Sequence, residues 1–220
     1  MKRALLLVAA LLLAGCGGSD ETARTPPATT AVSGGQSSRT CEAGQTKTKP
    51  NGTLKASKEG LDPGKNYSLV FETNCGSFTV QLDQKLAPKT AASLVFLANR
   101  DFFDGTAFHR IVPGFVIQGG DPTSSGLGGP GYQTVDPPPR NAKYTHGVVA
   151  MAKAGDEPAG TSGSQFFVVT AEDAGLPPDY AIVGKVMDGL DVVDKIGTLG
   201  DGSEQPTEPV VIRDVLVKTS

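Results

Sequence analysis

Residues Phe108–Asp121, FHRIVPGFVIQGGD, set His109, Arg110 and Gln118 into a run otherwise apolar enough for buried strands. Burying an arginine without a partner costs several kcal/mol or more, so this one needs a purpose. A guanidinium is always charged and only donates hydrogen bonds. It can stabilise an anion or a lone pair, but it does not titrate as an acid–base catalyst must. Nothing else in the chain offers covalent or cofactor chemistry. Gly126–Gly131, GLGGPG, matches G-x-G-x-x-G, yet Pro130 and the prolines at 137–139 forbid the helix that a dinucleotide-binding turn opens. Gly160–Ser164, GTSGS, lacks the last glycine of a nucleophile elbow and has no strand–turn–helix around it. The two histidines, His109 and His146, have no carboxylates at ligand spacing, which argues against a metal site. Asp156-Glu157 reads as a solvated loop pair. No cofactor is expected.

The elements that must position Arg110 are mostly strands. YSLVFET and SFTVQLD flank Asn74-Cys75-Gly76, a hairpin signal. The stretch around Arg110 supplies two strands, and GVVAMA, QFFVVT and YAIVGKV supply three more. PVVIRDVLVK closes the chain as the eighth. Pro88–Asn99 starts with a proline where a first helical turn tolerates it and continues with apolar residues at helical spacing. Asp188 is a plausible cap for a second, short helix that stops at Gly197. One early and one late helix do not make the alternation of a parallel α/β sheet. The expected fold is mainly β: a closed eight-stranded antiparallel β-barrel capped by two α-helices, closure removing exposed strand edges. The turn beside Arg110 leaves its partners open. A tight hairpin at Pro113-Gly114 puts Arg110 with Phe115 on one face and Val116 with Gln118 on the other. A looser loop breaks that register, and Pro-Gly suits a type II turn that fits a two-residue hairpin poorly.

The 220 residues carry a net charge of −3 and no basic run after the first residues, so nucleic acid is not an expected partner. Lys2 and Arg3 precede ALLLVAALLL, too short for a membrane span, which needs ~20 residues, but suited to a secretory signal. It leads into Leu13-Ala14-Gly15-Cys16, which resembles a bacterial lipobox. On that reading residues 1–15 are removed, Cys16 carries lipid, and the protein is anchored outside the bacterial cell membrane without spanning it. Ordinary cleavage near Ala14, leaving a free thiol, is the other reading. Residues 17–40 are a polar linker with almost nothing to bury, 41–64 a polar extension, and 65–220 the folded domain. With Cys16 set aside, Cys41 and Cys75 make an even pair in an oxidising compartment. Bridged, they would close a loop worth roughly 3–4 kcal/mol; two unpaired thiols are the alternative.

FHRIVPGFVIQGGD, GLGGPG, VAMAKAG, GSQFFVVT and LPPDYAIVGKVMDGLDVVDKI, in that order, resemble a cyclophilin-type peptidyl-prolyl cis-trans isomerase over about residues 65–218. Such an enzyme speeds rotation about X-Pro bonds. The barrier of ~18–20 kcal/mol arises because the amide nitrogen lends its lone pair to the carbonyl. Twisting returns that lone pair to the prolyl nitrogen, which then accepts a hydrogen bond. A donor that meets it only in the twisted state lowers the barrier rather than tightening binding.

The resemblance implies that Arg110 is this donor, with Phe115 and Gln118 completing the catalytic set and Gln118 steadying both Arg110 and a substrate carbonyl. It implies a proline pocket of Phe115, Val116, Phe167 and Leu176. Backbone at Ala152 and Lys153 would hold the residue before proline, with His109, Gly126, Ala154, Gln165 and Tyr180 nearby. Ordinary core packing is the competing role for Phe115 and Phe167, and a buried structural ion pair is the competing role for Arg110. Three positions depart from the family pattern. Gly175 stands where relatives often carry a rim tryptophan, Val116 replaces a commoner methionine, and Lys153 a frequent asparagine. The expected substrates are proline-containing segments of secreted or envelope proteins, met by a monomer. A proline-peptide-binding chaperone or scaffold with little turnover is the rival function.

Overall fold

The computed structural model describes residues 41–220. The expectations for the signal, the lipid-bearing Cys16 and the linker lie outside the described residues. Eight strands form one antiparallel sheet: β1 (Tyr67–Thr73), β2 (Gly76–Leu82), β3 (Arg110–Val112), β4 (Val116–Gly119), β6 (Val148–Met151), β8 (Phe166–Val169), β9 (Ile182–Asp188) and β10 (Ile212–Thr219). Their order is β10-β1-β2-β9-β6-β8-β4-β3. Two strands of two residues, β5 (Thr134–Val135) and β7 (Thr161–Ser162), pair separately. Nothing in their composition marks them as strands.

The expected closed barrel is not what forms. The sheet is a curled, open half-barrel with β10 and β3 as its edges. The edges approach only before β3 begins, where Ala107 bridges Val211 and Phe108 N–H donates to the Val210 carbonyl at 2.9 Å. Beyond that point β3 has just three residues. The chain facing it contains Pro206 and Pro209, which cannot donate to a ladder. That segment folds as a turn and gives β3 one backbone bond, Ile111 N–H to the Glu204 carbonyl at 3.0 Å.

Strand alternation sorts the side chains into two apolar clusters. The larger collects Leu69, Phe71, Phe78, Ile111, Ile117, Val149 and Val168 on the inner face. Helix α1 (Pro88–Ala98) adds Ala91, Leu94 and Val95, and helix α2 (Leu190–Gly197) adds Val193 and Ile196. The smaller cluster, on the opposite face, holds Val116, Tyr144, Ala150, Phe167 and Val169.

Both helices start without a side-chain cap of their own. For α1 the buried Asp136 substitutes from across the fold, accepting from Thr90 N at 2.7 Å and Thr90 Oγ1 at 2.8 Å. For α2 the expected cap, Asp188, instead ends β9 opposite Thr79. Gly189 makes the turn at φ 73°, where a Cβ would stand 2.3 Å from the Ser77 carbonyl oxygen. Only glycine fits that approach.

Residues 41–60 contain no helix or strand but lie along the domain as a strap. A disulfide joins Cys41 to Cys75 at the β1–β2 turn. Beyond it, backbone bonds run from Lys47 to Gly105, Lys49 to Pro122, Gly52 to Gly129 and Leu54 to Pro130. No helix among the described residues is long and apolar enough to cross a membrane.

Candidate active site

The β3–β4 connection decides which side chains meet. Val112 pairs with Val116 and Arg110 with Gln118, leaving Pro113-Gly114-Phe115 as a three-residue loop. Gly114 takes φ 70°, the left-handed conformation such a loop needs. The extra residue breaks the tight-hairpin register, so Arg110, Val116 and Gln118 share one face. Pairing carries the row onward from Gln118 to Phe167 on β8, Ala150 on β6 and Ile182 on β9. This is the face of the smaller cluster, and the loop residue Phe115 packs against that cluster together with Ala152, Leu176 and Tyr180.

The polar members form a relay. Arg110 Nη1 donates to Gln118 Oε1 at 3.4 Å, and Gln118 Nε2 donates to Gln165 Oε1 at 3.1 Å. Gln165 Nε2 donates to the Gly126 and Gly128 carbonyls at 3.0 and 2.9 Å. At the far end Arg110 Nε donates to Glu204 Oε2 at 2.6 Å. Thus the half-exposed guanidinium has an ionic partner, which answers the question its presence raised.

The loop carrying Gly126 and Gly128 is built around the buried Asp121. Its carboxylate accepts from the amides of Thr123, Ser125, Gly126 and Gly128. Burial pushes its pKa up, but these bonds outweigh it and hold the group below the usual carboxylate value. The strap braces the same loop, since Asn51 Oδ1 accepts from Gly129 N–H at 2.9 Å.

Not every expected residue reaches the same place. A cavity of about 780 Å³ adjoins the relay and is lined by Gln118, Gly126, Ala152, Lys153, Ala154, Gln165, Glu157 and the strap residues Asn51 and Gly52. Arg110, Phe115, Val116, Phe167, Leu176 and Tyr180 do not line it; the last five pack as an apolar patch alongside, on the face that Arg110 shares with Val116. Tyr180 stacks edge-on against Phe167 with centroids 5.5 Å apart, and its backbone bonds the Tyr144 hydroxyl. The Ala154 amide already donates to Glu157 Oε2 at 2.7 Å, and Lys153 Nζ turns back onto the Ala154 and Glu157 carbonyls. His109 sits behind the row beside Gly126, with neither ring nitrogen reaching a hydrogen-bond partner. Burial lowers its pKa, opposed in part by the Asp121 carboxylate. Gly175, at φ 63°, faces open space.

Glu204, Asp121, Asn51, Tyr144 and Glu157 were not foreseen. Glu204 is 94 residues from Arg110, and no pattern links them. Asp121 followed by threonine, serines and glycines was the one available signal, since such residues favour side-chain-to-backbone turns.

Residues 68–217 match the family described as cyclophilin type peptidyl-prolyl cis-trans isomerase. The chain belongs to the cyclophilin family. Among its relatives, the probable peptidyl-prolyl cis-trans isomerase A of Mycobacterium leprae is 39% identical, covering 69% of this chain and 92% of that protein. Peptidyl-prolyl cis-trans isomerase-like 1 of Gibberella zeae is also 39% identical, over 66% of this chain and 91% of the relative. A crystal structure of a cyclophilin from Cryptosporidium parvum superimposes with a TM-score of 0.64 at 30% identity, over 70% of this chain and 98% of that one. The activity of this cyclophilin is peptidyl-prolyl cis-trans isomerisation.

Proposed function

We propose that this cyclophilin turns X-Pro bonds by the non-covalent route, with Arg110 donating to the prolyl nitrogen of the twisted amide. One observation carries this: the outer-face row in which Arg110, Gln118 and Phe167 are consecutive cross-strand partners. The row puts an always-charged donor next to an apolar patch of Phe115, Val116, Phe167 and Leu176, where a proline ring can be held. Gln118 is tied to both Arg110 and Gln165, so its amide is fixed for orienting a substrate carbonyl. Such an arrangement needs no cofactor, because the only event is rotation about one bond. A Cryptosporidium cyclophilin of 31% identity, TM-score 0.63, was crystallised in the presence of the dipeptide Ala-Pro, which supports proline-containing polypeptides as the substrate class.

The place of action follows from the N-terminus. Lipid on Cys16 would anchor a monomer outside the cell membrane, and the linker would let the domain reach exposed X-Pro bonds of secreted or envelope proteins. The disulfide fits an oxidising compartment. The deciding experiment is an isomerisation assay on a proline peptide, comparing the wild type with Arg110→Ala. At least a tenfold loss of kcat/KM is expected, about 1.4 kcal/mol or more of transition-state stabilisation. Unchanged turnover in a folded variant favours a proline-peptide-binding scaffold instead. Replacing Cys16 by serine is expected to release the protein from membranes; retention would contradict the anchor.

A further inference from the structure

The Arg110 guanidinium is gripped by a carboxylate delivered from a loop between α2 and β10. Several features build that loop. Gly200 comes so close to β3 that a Cβ would stand 2.3 Å from the Ile111 carbonyl oxygen and 2.7 Å from Pro113 Cδ. Asp201 Oδ1 accepts from Ser203 N, Ser203 Oγ and Gln205 N at 2.7–3.0 Å. A bridge joins Gly200 to Pro206, and Thr207 N–H returns to the Leu199 carbonyl.

Inside this turn Glu204 is held at φ 66°, a left-handed conformation that non-glycine residues seldom adopt. Its N–H donates to the Asp201 carbonyl, and its own carbonyl accepts from Ile111, the neighbour of Arg110. The main chain is therefore locked on both sides while the side chain, 50% exposed, reaches Arg110 Nε at 2.6 Å. Ion pairs as exposed as this one contribute little to folding. A gain in stability does not explain a backbone held in so uncommon a conformation.

Orientation does. A guanidinium is a flat fork, and two acceptors on different nitrogens fix its plane where one leaves it free to swing. Glu204 takes Nε, Gln118 takes Nη1, and among the described residues Nη2 has no partner. We propose that Glu204 is a positioning residue for isomerisation: it holds Arg110 by Nε so that Nη2 is presented to the twisted X-Pro amide. The proposal rests on the reading of Arg110 given above and adds a second residue through which that arginine acts. Since the proline-holding patch is untouched, the effect belongs in kcat rather than KM.

The test uses the full chain with Glu204→Ala, Glu204→Gln, Arg110→Ala and the Glu204→Ala/Arg110→Ala double variant, measuring kcat and KM on an Ala-Pro-containing peptide together with Tm. Glu204→Ala is expected to lower kcat by roughly three- to tenfold, with KM within about twofold and Tm nearly unchanged. Glu204→Gln should recover most of the loss, because its amide oxygen still accepts from Nε. In the Arg110→Ala background, Glu204→Ala should change nothing further. An unchanged or raised kcat in Glu204→Ala, while Arg110→Ala is impaired, overturns the positioning role and leaves Arg110 standing. The same loss in both backgrounds also overturns it, since the effect would not pass through Arg110. Full turnover by Arg110→Ala removes the reading beneath and the proposal with it.

Discussion

At the scale of single residues, His109 shows how the site's surroundings govern its pH response. The ring is largely buried beside Gly126, and burial lowers its pKa below the ordinary value of about 6.5, outweighing the Asp121 carboxylate that favours the charged form. The unfolded chain therefore takes up this proton before the folded one does. His109 imposes no penalty on folding above about pH 6.5, and stability is lost as pH falls from there toward the folded-state pKa. Denaturation midpoints measured from pH 7.5 to 5 should decline, and the decline should be shallower in His109→Gln. Identical slopes would show that the ring titrates normally in the fold. Turnover should behave differently from stability. No acid or base enters the proposed reaction, so kcat is expected to stay within about twofold between pH 6 and 8, and a bell-shaped profile would point to a missed general acid or base.

Among the elements, α1 illustrates a boundary visible in sequence whose support was not. Pro88 at its first turn and the apolar spacing behind it marked the helix, but its N-terminal amide is satisfied by Asp136, 46 residues from Thr90. Asp136→Ala should destabilise the domain by about 1–2 kcal/mol, the usual worth of a lost cap. A change below about 0.3 kcal/mol in urea denaturation would mean that solvent replaces it. The β3–β4 hairpin teaches the complementary lesson. Its strands were legible as apolar runs, yet the face on which Arg110 lies depended on whether the loop has two residues or three, and Pro113-Gly114 allowed either. Sheet closure failed as an expectation for a similar reason. Eight strands were countable, but the edge opposite β3 is interrupted by Pro206 and Pro209, whose effect depends on where they fall against a three-residue strand. The relay from Gln118 through Gln165 to the Gly126 loop was grouped only by family resemblance, because pairing across strands far apart in sequence leaves no periodicity to read.

At the largest scale, residues 41–220 form a half-barrel whose outer face carries the candidate site, and the strap of residues 41–60 braces one wall of it. Cys41 and Cys75 enclose a sequence separation of 34, for which the chain-entropy relation gives a stabilisation of about 4 kcal/mol. The double variant Cys41→Ser/Cys75→Ser should therefore melt several degrees lower than the oxidised wild type, and reduced wild type should match the variant. A shared Tm for all three would show that the strap is held by its backbone bonds alone.

The central claim concerns rate rather than affinity: a guanidinium meets the prolyl nitrogen only while the amide is twisted. NMR exchange on a saturating X-Pro peptide reads both quantities in one experiment. Arg110→Ala is predicted to slow cis–trans exchange of the bound peptide at least tenfold while Kd changes less than about threefold. Exchange as fast as in the wild type, or a loss confined to Kd, would contradict the account.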